Sequence, residues 1–175
     1  SFWIEGPLMG GKKSRNKGAN FERAVATKLR EWLGDEWTVS RNPTDRQKGK
    51  TGAGEFEVVG PFRFPFAIEC KAHESFDYGQ LLRVPATGPF ISFWGQAKDQ
   101  AGAAEKAPLL IFKRNNGPVL AAMGWDEFTP LLGASGVETV HSLIRLYDHD
   151  CVIIPFEVFL KLRPQSLYEL TGSYL

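Results

Sequence analysis

The chain has 175 residues, 43% of them hydrophobic and 23% charged, the balance of a globular protein large enough for one domain with a proper core. No apolar run approaches the ~20 residues of a membrane span, and no segment reads as a secretory leader. The net charge of +1 conceals an asymmetry: residues 1–50 carry 11 Lys and Arg against 6 Asp and Glu, and residues 51–175 carry 10 against 14.

The opening "SFWIEGPL" precedes Met9 and fits nothing downstream, so residues 1–8 are expected to be a tag remnant or a disordered arm, with 9–175 a single domain. Next comes the basic run "KKSRNKG" (12–18). With "RNPTDRQKGK" (41–50) it supplies cations in polar, glycine-containing chain, a composition that suits a phosphate backbone. On charge alone such runs are more often only solvated. In "NFERAVATKLREWLG" (20–34), Phe21, Val25, Leu29, Trp32 and Leu33 follow helical spacing. Asn20 is a candidate N-cap and Gly34 a stop. "WTVSR" (37–41) predicts a strand, and Asn42–Gly54 a polar hairpin loop.

"GEFEVVG" (54–60) and "FPFAIECKA" (64–72) predict the two arms of a second hairpin. Residues 73–90 are irregular, punctuated by Pro85, Gly88 and Pro89. "SFWGQAKDQAGAAEKA" (92–107) is helical in bias, and "PLLIFKR" (108–114) and "PVLAAMG" (118–124) are strands joined at "NNG". The order of helix, three strands, helix and two strands predicts an α/β fold, a mixed sheet with helices packed on it. Beyond it, "DEFTPLLG" (126–133) reads as a short helix. "ETVHSLIRLY" and "CVIIPFEVFLKL" are apolar enough to bury, with Pro155 dividing a strand from a helix. This C-terminal stretch is expected to cap the sheet or supply an interface. Cys70 and Cys151 form no zinc spacing or disulfide framework and predict a reducing, intracellular setting.

Strand alternation puts Phe66, Ile68, Cys70 and Ala72 on one face of "FAIECKA" and Glu69 and Lys71 on the other. Charge on a core strand is costly unless paired or bound. Glu55 and Glu57 share one face of the preceding strand, and Glu22 sits in the first turn of the first predicted helix. Carboxylates crowded together repel one another unless a cation intervenes, and oxygen-only ligation suits Mg²⁺, with Mn²⁺ able to substitute. A lysine beside such an ion fits metal-assisted phosphodiester hydrolysis. A lone E-x-K triplet is usually an exposed ion pair, so the weight lies on the constellation. Other candidates read structurally: His73 as a loop histidine, "DHDC" (148–151) as a turn, and Trp32, Trp37, Trp94 and Trp125 as core or interface.

In order, "KGANFERAVATKLREWLG", "SRNPTDRQKGKTGAGEFEVVG", "FPFAIECKA" and "QAKDQAGAAEKAPLLIFKRNNGPVLAAM" resemble the layout of the PD-(D/E)xK nuclease superfamily. Within it they resemble the archaeal-type (Hjc-like) Holliday junction resolvases, especially phage versions, over residues 16–124. The resemblance implies a restriction-endonuclease-like core, with residues 125–175 as a C-terminal extension. It implies Glu22 as the first-helix acid of the metal site, and Glu69 and Lys71 as the acid and lysine of the triplet. Glu55, after Gly54, stands where the family usually has aspartate; Glu57, in "EVVG", is its rival. Gln96 matches a glutamine placed near the metal-bound water or DNA. Lys98, Arg41 and the loop cations Arg46, Lys48 and Lys50 would meet the DNA backbone, with Lys12, Lys13, Ser14, Arg15 and Lys17 approaching from the basic arm. The function implied is Mg²⁺-dependent cleavage of four-way DNA junctions by paired symmetric nicks, in recombination and repair. It would be carried out by a twofold homodimer in the cytoplasm, the host's if the protein is phage-encoded. The alternatives are another nuclease on this core (repair, flap or restriction-like) and a catalytically inactive DNA-binding module.

Overall fold

The computed structural model describes residues 10–42, 54–136, 140 and 142–171. The opening arm and the loop cations Arg46, Lys48 and Lys50 therefore lie outside the described residues. Helix α1 spans Gly10–Leu33 and starts ten residues before the expected Asn20. The added turns hold the Lys and Arg of the basic run together with the poor helix formers Gly10, Gly11 and Gly18. Asn20 is consequently no cap. Its Oδ1 accepts from Arg23 Nη1 at 3.0 Å instead. Glu22 sits more than three turns into the helix rather than in its first turn. Gly34, at φ +83°, ends α1 as expected, its N–H donating to Arg30 O at 3.0 Å.

Strand β1 (Thr38–Arg41) pairs antiparallel with β2 (Phe56–Val59), Arg41 opposite Phe56 and Thr38 opposite Val59. These two strands form a sheet of their own. The expected ladder between β2 and β3 (Phe66–His73) is reduced to one parallel bridge, Gly54–Ile68, while Val59 bridges Arg63 antiparallel within the connection before β3. Beyond that bridge β2 pairs with β1, and β3 has its ladder with a strand on its other side. That partner is β4 (Ala107–Arg114), parallel to it, reached through α2 (Pro89–Ala103). Helix α2 begins earlier and ends earlier than the sequence pattern indicated. Pro89 fits the first helical position, where no N–H is needed, and Ala107 is drawn into β4 by donating to Pro65 O at 2.9 Å.

Strand β5 (Leu120–Gly124) returns antiparallel to β4 after the Asn115–Gly117 turn. Helix α3 (Trp125–Ser135) follows, then β6 (Ile144–Leu146) and β7 (Cys151–Pro155). The five-stranded order is β3-β4-β5-β7-β6, with every pair but β3–β4 antiparallel. The chain after residue 124 therefore builds two strands of the central sheet, β7 lying between β5 and β6. Short helices α4 (Phe156–Phe159) and α5 (Tyr168–Thr171) close the chain, with Pro155 dividing β7 from α4 as its sequence indicated. A mixed sheet flanked by helices is the α/β, restriction-endonuclease-like core expected.

Two apolar layers hold the sheet. On one face Phe21, Val25 and Leu29 of α1 meet Phe66, Ile68 and Cys70 of β3, Leu109 and Ile111 of β4 and Phe128 of α3. On the other, Phe90, Trp94 and Ala97 of α2 meet Leu110 and Phe112 of β4, Ala122 of β5 and Ile153 of β7. With both faces covered, β4 is a continuous apolar run, as a two-sided buried strand must be. Trp37 and Trp94 are buried, and Trp32 and Trp125 pack partly buried against the first layer. Leu109→Ala should cost about 2–5 kcal/mol in urea unfolding, since the site is fully enclosed, whereas Leu82→Ala, at 72% exposure, should stay within about 0.5 kcal/mol of the parent.

Candidate metal and DNA site

Parallel pairing sets Glu69 opposite Leu110, Lys71 opposite Phe112 and His73 opposite Arg114. Leu110 and Phe112 belong to the α2 layer, so Glu69 and Lys71 project toward α2, away from α1. Lys71 Nζ stands 5.9 Å from the centre of the Phe93 ring on α2 and 3.5 Å from Glu69 Oε1. The glutamate is 4% exposed. Its second oxygen, Oε2, is buried without a hydrogen-bond partner. A carboxylate oxygen in that state is costly for a fold to keep and fits a hard cation taking oxygen ligands. Cys70 faces the opposite layer and belongs to the core.

Glu55 reaches this strand through its backbone. Its N–H donates to Ile68 O at 2.8 Å, one residue before Glu69. Gly54 makes the approach possible. It holds φ +74°, and a Cβ there would lie 2.4 Å from Ile68 O. Glu55 is 6% exposed and enters into an interaction of its own. Glu57, two residues on, is exposed in β2, where it stands opposite Ser40. Its field acts on Lys106: burial lowers the Lys106 pKa most, nearby Arg63 lowers it further, and Glu57 raises it. Lys106 lies at the start of β4 beside Pro65, so Glu57 belongs to the end of β3 away from Lys71.

Glu22 is held by Arg41. Arg41 Nε and Nη2 both donate to Glu22 Oε2, at 3.1 and 2.5 Å. Because α1 covers the other face of β3, Glu22 can approach Glu69 only around the β3 edge, where Arg41, Phe56 and Glu55 are strung in register. Among the described residues no three His, Cys, Asp or Glu gather closely enough to hold a metal ion. The structure thus brings together Glu69, Lys71 and the Glu55 backbone, and pairs Glu22 with Arg41.

Gln96 is exposed on α2, one turn after Phe93 and so on the helix flank that Lys71 approaches. Lys98 is one turn after Trp94 and belongs to a different flank. Trp94 Nε1 donates to His149 O, and Lys98 acts on Cys151, whose thiol burial pushes up to about 12 against the lysine's opposing pull. Arg15 and Lys17 are exposed on α1; Lys12, Lys13 and Ser14 are in its opening turns, with side chains outside the description. His73 Nδ1 sits 2.5 Å from Ser75 O, and its ring is 5.8 Å from Phe93. "DHDC" is a 3-10 turn over Tyr147–His149 followed by Asp150 at φ +48°, a turn as its sequence indicated.

Sequence reading placed Asn42 only at the start of a loop. It clamps the approach of Glu55, its N–H donating to Glu55 O at 3.0 Å and its Nδ2 to Gly54 O at 2.6 Å. Asn before a turn-rich stretch was the available signal, but nothing local names a partner twelve residues away.

This fold and this E-x-K strand are those of the PD-(D/E)xK nucleases. A family model described as "Phage putative PDDEXK endonuclease" matches residues 13–169, and the chain belongs to that family. The match takes in β6, β7 and α4 as well as the core that carries Glu69 and Lys71. Among curated proteins and solved structures nothing matches the chain. Among the described residues no helix is long and apolar enough to cross a membrane.

Gly54→Ala should destabilise the chain by about 1–3 kcal/mol, because the new methyl meets a backbone oxygen and the left-handed φ is strained. Hydrogen exchange should show the Glu55 amide losing protection; an amide as slow as in the parent would mean the close approach survives the methyl.

Proposed function

We propose that the protein is a divalent-metal-dependent DNA endonuclease acting on branched DNA, foremost four-way junctions, which a symmetric homodimer cuts by paired nicks. The observation that carries the nuclease chemistry is the buried Glu69 carboxylate with Oε2 unpartnered and Lys71 at 3.5 Å. Family membership supports the same chemistry, and the sequence resemblance to junction resolvases supports the branched substrate.

Glu69 and Glu55 would hold the ion, Mg²⁺ or Mn²⁺, with Glu22 a third carboxylate once Arg41 turns from it to a DNA phosphate. A bound ion supplies a Lewis acid for the scissile phosphate and lowers the pKa of a coordinated water. Lys71, resting against Phe93, keeps its ammonium fixed beside the carboxylate, where it orients a water and offsets charge building on the phosphate. Glu57 is not among the ligands in this reading, being exposed and coupled to Lys106. Gln96 lies within reach of the Lys71 side. Arg15, Lys17 and the loop cations Arg46, Lys48 and Lys50 meet phosphates, which fixes a substrate's position without reading its sequence. Two cuts across a junction need two sites related by a twofold axis, hence the homodimer.

Lys71→Ala should still bind a synthetic four-way junction in a gel-shift assay while its single-turnover cutting falls on the order of 100-fold or more. Undiminished cutting would remove Lys71 from the reaction. The parent enzyme, assayed with Mg²⁺ or Mn²⁺, should cut the junction at symmetric positions in preference to linear, flap and Y-shaped DNA. Preference for one of those others would make it a nuclease of different substrate on the same core.

A further inference from the structure

Asn42 ends β1, next to Arg41, and reaches across to the segment that carries Glu55. Three hydrogen bonds fix that segment: Asn42 N–H to Glu55 O at 3.0 Å, Asn42 Nδ2 to Gly54 O at 2.6 Å, and Glu55 N–H to Ile68 O at 2.8 Å. The side-chain bond also fixes which way the amide faces, since the opposite orientation would press Oδ1 against a carbonyl oxygen. Glu55 is therefore gripped from both sides, by β3 through its donor and by Asn42 through its acceptor. Of the three contacts, only the Nδ2 bond depends on a side chain. It falls on the glycine whose left-handed backbone allows the approach to β3.

We infer that Asn42 is a positioning residue for metal binding: its amide locks Gly54 against Ile68 and thereby sets the Glu55 carboxylate beside Glu69. This rests on the reading of Glu55 and Glu69 as ligands given above. A ligand whose backbone is free to swing must be ordered when the ion binds, and that ordering is subtracted from affinity. Groups that orient ligands without touching the metal typically contribute about 10–100-fold in metal affinity. The effect is specific to the ion. Asn42 leaves Lys71 and its Phe93 support on α2 untouched, so chemistry at saturating metal should survive its loss.

The test is Mn²⁺ binding to the full chain without DNA, followed by electron paramagnetic resonance of the free ion, for the parent, Asn42→Ala, Asn42→Leu, Glu55→Gln and Glu69→Gln. The leucine variant keeps asparagine's branched skeleton and the backbone N–H but has no side-chain donor. Both Asn42 variants should bind Mn²⁺ about 10–100-fold more weakly. In nicking assays they should need correspondingly more Mn²⁺ for half-maximal rate, while kcat at saturating Mn²⁺ and KM for DNA stay at parental values. A residue that served only the fold would lower the melting temperature without that split. If both Asn42 variants bind Mn²⁺ like the parent while Glu55→Gln does not, the inference fails and the site stands. If Glu55→Gln binds like the parent, the site reading fails and the inference with it. If neither Asn42 variant folds, Asn42 is a structural residue and the inference is overturned.

Discussion

A buried carboxylate on a sheet strand governs the architecture around it. Glu69 is 4% exposed, between apolar neighbours on β3 and β4; the Lys71 ammonium lies 3.5 Å from one of its oxygens, and the other has no hydrogen-bond partner among the described residues. The Lys71 side chain keeps 30% of its surface exposed, so only the glutamate of the pair bears the full cost of burial. That pairing needs the lysine held, and Phe93 on α2 supplies the surface against which it lies. Helix α2 in turn can cover Glu69's face only because the β3–β4 connection is a crossover that returns the chain parallel. The ion pair, the ring and the topology form one dependency, and its unfinished element is the second glutamate oxygen.

The position of β3 explains where the rest of the site must come from. It is an edge strand of the five-stranded sheet, and β1–β2 touches it at one bridge rather than along a ladder. An edge offers backbone donors and acceptors to whatever arrives. Gly54 and Glu55 use one of them, Ile68 O, and the remainder of β2 turns away to β1. The small sheet thus carries Glu55, Arg41 and Asn42 to the same edge, while α1 brings Glu22 around it from the far face.

Much of this was legible in the sequence because it is written in short-range periodicity. The alternation in "FAIECKA" separated Glu69 and Lys71 from the core residues, and the structure keeps that division, with Ile68 and Cys70 toward α1 and Lys71 toward α2. Strands β4, β5 and β7 are apolar runs bounded by turn residues and were equally plain. The misreadings concern what a strand or helix does beyond its own residues. "GEFEVVG" is a strand and pairs with β1, as the hairpin loop expected over Asn42–Gly54 implied, but the second hairpin, with β3, shrinks to the single bridge at Gly54–Ile68. Asn20 has the chemistry of a cap, yet the helix runs through it and its side-chain oxygen accepts from Arg23 instead. The bonds of Asn42 were not legible, because its partners are twelve and thirteen residues away across that loop.

Under the proposed function, the Glu22–Arg41 pair is where substrate and metal would meet. Arg41 spends two donors on a single oxygen of Glu22, at 3.1 and 2.5 Å, and is itself partly exposed on the strand beside Glu55. An arginine fork suits phosphate as well as carboxylate. A DNA backbone arriving at the β3 edge would compete for that fork, and taking both donors would free the one Glu22 oxygen they share, beside the segments that carry Glu55 and Glu69. Carboxylates repel without a cation between them, so releasing Glu22 raises the affinity of the place for a divalent ion. In this proposed arrangement Arg41 couples the two ligands of the reaction: it neutralises the third acid while DNA is absent and yields it when phosphate is present.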